Sequence, residues 1–210
     1  MKYIIMCGGV YPKFTTPKQL LRLQSGETIV GRTIRLLKEN GVTDIAISAT
    51  DPAFEGLGVP VLKHDNTYNL ANGTGWWVDG FYPMEEPVCY LFGDVVFSDH
   101  AIKKIVHKQT TDIDFFASAS PFDSHYIKGY CEPFAFKVEN TEKFFGCIEI
   151  CKKYNELRMF QRHPVAWELW QVCQGAKLNF IARDFTVISD FTCDIDNEKD
   201  LVKFNMRVHI

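Results

Sequence analysis

Short apolar runs alternate with segments whose apolar residues recur every three or four positions, and this alternation organises the chain. Lys2–Cys7 (KYIIMC) is a strand-length apolar run, Thr28–Glu39 carries helical spacing closed by Asn40-Gly41, and Asp44–Ala49 (DIAISA) is a second strand. Together they predict a βαβ unit. Val59–Leu62 is a short extended run, Val88–Phe92 (VCYLF) a buried strand, Asp99–Lys108 a helix and Phe115–Ser120 (FFASAS) a further strand. Pro133–Val138 (PFAFKV) reads as a strand, Thr141–Tyr154 as a helix with Thr141 as its cap, Ala166–Cys173 as a helix after Pro164, and Phe185–Ser189 as a strand. Strands separated by helices imply an α/β, three-layer architecture around a mostly parallel sheet.

Composition narrows what such a sheet serves. The 210 residues suit a single domain, 1–210, and 46 % hydrophobic with 23 % charged residues is the balance of an ordinary globular protein. A formal net charge of −3 argues against a general nucleic-acid binder or an anionic-membrane binder, which carry a basic excess. No apolar stretch approaches the ~20 residues of a membrane span. Seven cysteines without paired C-x-x-C spacing, and no leader-like segment at Met1-Lys2-Tyr3, lead us to expect a reducing cytoplasm. Cys147 and Cys151 lie one helical turn apart; they suit a buried helix face better than a shared metal, because no further ligand is suggested nearby.

The chemistry collects at strand ends. After the first strand comes CGGVYPKFTTPK, residues 7–18, where Gly8 and Gly9 allow backbone N–H groups close to an anion and Lys13 and Lys18 add positive charge. Gly93-Asp94 follows VCYLF, and Asp194-Ile195-Asp196 follows the last predicted strand. Open α/β sheets bind ligands beyond the carboxyl ends of their strands. A phosphate cradle beside two sets of carboxylates therefore suits a nucleotide and a hard divalent cation such as Mg²⁺. The alternative is structural: Asp94 capping a turn, and Asp194 and Asp196 capping a helix that begins near Asn197.

The segments IIMCGGVYPKFTTPKQLL, GETIVGRTIRLLKENGVTDIAIS, YLFGDVVFSD and CDIDNEKDL, in this order, resemble the nucleoside-triphosphate transferase superfamily of sugar-phosphate nucleotidylyltransferases and small cytidylyltransferases, from Met1 to about Leu201. The resemblance implies a Rossmann-like nucleotide-diphospho-sugar transferase fold and transfer of a nucleoside monophosphate from an NTP to a phosphorylated small molecule, with release of pyrophosphate. It implies a nucleotide-binding half over about 1–120 and an acceptor-binding half over about 121–210. Cys7, Gly8, Gly9 and Lys13 would meet the triphosphate, Lys18 the transferring phosphoryl group, and Asn72, Gly73 and Thr74 the base; read structurally, Gly8-Gly9 is a tight turn with two solvated lysines and Asn72 or Thr74 a helix cap. Asp94 with Asp194 or Asp196 would bind Mg²⁺, and Lys13 stands where the family usually has arginine.

Arg162 and His163, just before a predicted helix, are candidates for the acceptor's phosphate, although Arg162 could instead pair with Glu168. Trp76 and Trp77 read as core or cleft wall rather than base-stacking platforms. The compact chain leans toward CTP by analogy with small cytidylyltransferases, and a homodimer is left open. Two other readings stand beside this one. A glycosyltransferase would need Asp-x-Asp soon after a central strand, but that place reads Gly93-Asp94-Val95-Val96. A catalytically silent nucleotide-binding protein is the other, resting on Lys13.

Overall fold

A computed structural model describes residues 1–8, 16–68, 78–118, 131–178 and 184–210. Its main sheet has seven strands in the order β3-β2-β1-β4-β7-β6-β8. β1 (Lys2–Met6) and β4 (Val88–Phe92) lie at its centre, paired in parallel with Met6 opposite Phe92. All of β4 is buried, as are Ile4 and Ile5 of β1, which explains why both read as unbroken apolar runs rather than alternating ones.

β2 (Ile45–Ala49) and β3 (Val61–Lys63) extend the parallel half on one side of β1. On the other side β7 (Pro133–Val138) runs antiparallel to both β4 and β6 (Ile113–Ser118), and β6 pairs in parallel with β8 (Thr186–Ile188). The sheet is mixed but mostly parallel, as expected. Chain order changes direction at β1 and β4, which opens a crevice beyond their carboxyl ends.

The first helix, α1 (Ile29–Glu39), obeys its sequence signals. Thr28 caps it by accepting the Gly31 N–H at 3.0 Å, and Gly41 follows Asn40 at φ +81°, a backbone state that glycine adopts without a Cβ penalty. Ser98 caps α2 (Asp99–His107) in the same way through the Ala101 N–H. For α3 (Thr141–Glu156) the expected cap is corrected by one residue: Asn140 Oδ1 accepts the Lys143 N–H, and the Thr141 hydroxyl donates to the Glu85 carbonyl. Asparagine adjoining a threonine gives two equally good caps in sequence, and the tertiary acceptor for Thr141 decides between them.

A main aromatic core fills the space between sheet and helices; Phe115 stacks on Phe136 with centroids 4.6 Å apart, and Phe81, Tyr90 and Phe144 interlock beside them. Cys147, Cys151 and Cys173 are buried between α3 and α4 (Ala166–Cys173), where Cys147 and Cys173 share a thiol hydrogen bond. They behave as small apolar residues, and none of the cysteines is in a disulfide. Among the described residues no helix is long and apolar enough to cross a membrane.

Two elements too short to read from the sequence complete the functional side. β5 (Val95–Val96) pairs antiparallel with β9 (Cys193–Asp194), outside the main sheet. A second, smaller core of Leu23, Ile29, Val96, Cys193, Ile195 and Phe204 clamps this ladder beneath α5 (Glu198–Arg207).

Candidate active site

The crevice is built from strand ends held in register. The Gly93 N–H donates to the Met6 carbonyl at 3.0 Å, so the turn after β4 lies directly on the end of β1. A Cβ on Gly93 would stand 2.5 Å from the Met6 carbonyl oxygen and 2.7 Å from Cys7 Sγ, which makes glycine obligatory there. Gly8 is confined by a side chain instead, since its Cβ would meet His64 Nε2 at 2.8 Å. His64 is locked beneath it: Nδ1 lies 2.8 Å from Ser48 Oγ and Nε2 3.1 Å from Asn66 Oδ1. Nε2 then carries the proton and donates to Asn66, while Nδ1 accepts from Ser48. Burial lowers the His64 pKa against the opposing pull of Asn66, Asp79 and Asp65.

Asp94 follows Gly93 and is brought to the other carboxylates by the short ladder. Val95 pairs with Asp194, and the Ile195 N–H donates to the Asp94 carbonyl at 2.9 Å. The helix-capping role is filled by Asn197, whose Oδ1 accepts the Asp200 N–H, so Asp194 and Asp196 are not spent on it. Lys18 enters from the opposite side at the start of a single 3₁₀ turn, Lys18–Leu20, behind Pro17. Its Nζ lies 2.5 Å from Asp94 Oδ2 and 3.4 Å from Asp196 Oδ1. Burial opposes the Lys18 charge, but Asp94 and then Asp196 and Asp194 outweigh it and hold its pKa above the usual lysine value.

These groups line one cavity of about 440 Å³, which also takes in Gly8, Glu132, Arg162 and Trp167. Glu132, absent from the sequence-predicted set, is 1 % exposed at the entrance to β7. Its backbone is held by Ser118 at both N–H and carbonyl, and its Oε2 accepts the Asp194 N–H at 3.3 Å, tying the main sheet to β9. A lone glutamate before a strand carries no motif; only the long-range pairing exposes its place. Trp167 forms a wall, packed edge-on against Phe115 at 5.1 Å and Phe185 at 5.2 Å.

Of the two acceptor candidates, the structure brings only Arg162 to this cavity. Its Nε donates to Glu168 Oε1 at 2.7 Å, while Glu168 Oε2 accepts the Val165 N–H and starts α4. Arg162 is thus paired with Glu168 and also lines the crevice. His163 does not line this cavity; it lines a second pocket, with Arg158 and Phe160, that Arg162 also borders. Cys7 is buried, with its thiol pKa raised by burial and then by Asp94, and its N–H donates to the Ser48 carbonyl at 2.8 Å. Gly9, Lys13, Asn72, Gly73, Thr74, Trp76 and Trp77 lie outside the described residues.

Among the described residues no group of three histidine, cysteine, aspartate or glutamate side chains is arranged as a metal cage. Asp94, Asp194 and Asp196 nevertheless suit Mg²⁺, which takes one or two carboxylates and completes its shell with water and phosphate oxygens. The position between Asp94 and Asp196 accommodates a cationic group, since the Lys18 ammonium contacts both. The residues present therefore fit a divalent ion supplied together with a phosphorylated ligand.

The same architecture recurs in solved structures. A Bacillus anthracis protein assigned as a glucose-1-phosphate thymidylyltransferase, in complex with a sucrose, superposes with a TM-score of 0.61 at 17 % identity, covering 98 % of this chain and 94 % of its own. The inositol-1-phosphate CTP transferase from T. maritima superposes with a TM-score of 0.54 at 15 % identity, covering 100 % and 98 %. At such identities the likeness establishes the fold. No curated protein sequence matches the chain. A family model does, over residues 3–167, and with it the assignment closes: the chain belongs to the MobA-like NTP transferase domain family and is a nucleotidyltransferase.

Proposed function

We propose that this protein transfers a nucleoside monophosphate, with CTP the first nucleotide to test, to a phosphorylated small molecule such as a sugar phosphate or phospho-alcohol, in a Mg²⁺-dependent reaction that releases pyrophosphate. The observation that carries this reading is the Lys18 ammonium set between Asp94 and Asp196 at the carboxyl ends of the central strands. The acceptor's phosphate attacks the α-phosphorus of the NTP in line with the departing pyrophosphate. The work of the protein is to bring two anions together and neutralise them, and no protein nucleophile or general base is required.

Each side chain has a defined part. The backbone at Gly8 and Gly9 cradles the phosphates, with Lys13 adding charge, and Lys18 stabilises the transferring phosphoryl group. Asp94 with Asp194 or Asp196 would hold a divalent cation, which would supply neutralisation of phosphate charge. Glu132 fixes Asp194 by accepting its N–H. With Nε given to Glu168, Arg162 keeps its two Nη groups as donors for the acceptor's phosphate. Asn72, Gly73 and Thr74 approach the base. The nucleotide half, about 1–120, thus faces the acceptor half, about 121–210, across the crevice.

A pyrophosphate-release screen of the four NTPs against sugar 1-phosphates, phosphocholine and glycerol phosphate, with and without Mg²⁺, tests the reading. One productive, metal-dependent pair is expected. Nucleotide binding without turnover of any pair would favour the catalytically silent alternative. Transfer of sugar from a nucleotide-sugar donor would favour the glycosyltransferase alternative.

A further inference from the structure

The ammonium of Lys18 makes two demands that exclude one another. It contacts Asp94 at 2.5 Å and Asp196 at 3.4 Å. Those are the same carboxylates that a divalent cation needs. A phosphoryl group would compete with these carboxylates for the ammonium, as a metal would compete with the ammonium for the carboxylates. The pair is well shielded, with side-chain exposures of 17 % for Lys18 and 24 % for Asp94, so neither partner can be stripped without a replacement counter-charge.

We propose that Lys18 is a resident stand-in for the divalent cation, holding the metal's place between the carboxylates and passing to the phosphates when metal and nucleotide arrive together. This deepens the nucleotidyltransfer reading above and rests on it. The exchange conserves pairing throughout: the carboxylates trade one cation for another as the ammonium trades carboxylate oxygens for phosphate oxygens. A metal ion alone meets resistance, because the displaced ammonium then has no anion to receive it. Metal and nucleotide are therefore positively coupled through one side chain, and each raises the affinity for the other. The site stays pre-assembled meanwhile, since Asp94 and Asp196 belong to segments far apart in sequence and would repel if both were left without a cation.

The test uses Mn²⁺ alone, with binding followed by the paramagnetic resonance of the free ion on nucleotide-free protein. Lys18→Met and Lys18→Gln remove the stand-in charge, and both are expected to bind Mn²⁺ at least about tenfold more tightly than the wild type while losing turnover. Adding Asp94→Asn to Lys18→Met is expected to abolish the gain. Folded variants that bind Mn²⁺ no more tightly than the wild type, or a gain that survives Asp94→Asn, would overturn the proposal. A second measurement needs no substitution: acetylation of the Lys18 amine by acetic anhydride, read by mass spectrometry, should quicken several-fold at saturating Mn²⁺. Labelling that is unchanged or slower means that Lys18 stays with its carboxylates, and the proposal fails. The pyrophosphate screen separates the two claims. A productive wild type without the Mn²⁺ effects refutes only the stand-in role, whereas the Mn²⁺ effects without any turnover refute only the transfer reaction.

Discussion

Gly93→Ala is the smallest change that tests how the crevice is built. The added Cβ would sit 2.5 Å from the Met6 carbonyl oxygen, about 1 Å inside the ~3.5 Å at which non-bonded heavy atoms settle, and 2.7 Å from Cys7 Sγ. The first obstacle is main chain in a central strand buried on both faces, so no side chain can swing aside to absorb it. Overpacking of this kind costs about 3 kcal/mol, at the upper end of its usual range, offset by roughly 0.7 kcal/mol because alanine restricts the unfolded chain. A net loss of about 2 kcal/mol corresponds to a melting temperature lower by roughly 4–8 °C for a chain of this size. The Gly93 N–H bond to Met6 also stretches, which shifts Asp94 relative to the end of β1, and turnover should fall further than the remaining folded fraction accounts for. Thermal unfolding by circular dichroism, with pyrophosphate release at a temperature where the variant is folded, reads both effects. A melting temperature within about 1 °C of the wild type would refute the steric argument.

Asp94→Asn keeps the shape of the turn but removes a charge, so we expect melting within a few degrees of the wild type and turnover reduced by about two orders of magnitude or more; full Mg²⁺-dependent activity would remove Asp94 from the mechanism. Arg162→Lys keeps the charge without the planar fork and should raise the KM for the acceptor about tenfold with nucleotide affinity unchanged, as measured by initial rates and by nucleotide titration. The His64 pKa is depressed by burial, so the unfolded chain binds its proton more readily; stability conferred by neutral His64 is complete above the ordinary imidazole pKa of about 6.5 and is lost as the pH falls below it. His64→Gln should therefore lose fewer degrees of melting temperature than the wild type between pH 7.5 and pH 5, and equal losses would contradict the assignment. Phe204→Ala, which opens the small core beneath β9, should cost about 3–5 kcal/mol and weaken Mn²⁺ binding, as followed by denaturant unfolding and metal titration.

Much of this molecule is legible in its sequence because its central strands are nearly unbroken apolar runs and α1 carries a cap, an amphipathic stripe and a terminal glycine. Lys18, Asp94 and Asp196 could be singled out because they follow strand ends and match a family pattern in order. Glu132 could not, since its role depends on Ser118 and Asp194, and no local spacing encodes those partners. The ladder of β5 and β9 was hidden for a different reason: two residues are too few to show a period, and their pairing is decided by the core of Ile29, Val96 and Phe204. Arg162 and His163 are adjacent in sequence and share one pocket, yet only Arg162 also lines the crevice that holds Lys18, a difference that residue order does not encode.

The short ladder also bears on when the site comes into being. Its contacts join distant parts of the chain: the Ser98 N–H reaches Thr192 Oγ1 across 94 positions, and Lys18 reaches Asp196 across 178. Closing loops of that length is entropically slow, and during synthesis neither contact can form until the segment after β8 has left the ribosome. The βαβ half can fold earlier, with Asp94 in place and its late partners missing. A nascent chain arrested before Asp194 would then hold Lys18 and Asp94 without the carboxylate of Asp196, so the Lys18–Asp196 contact serves as a marker that folding has reached its end.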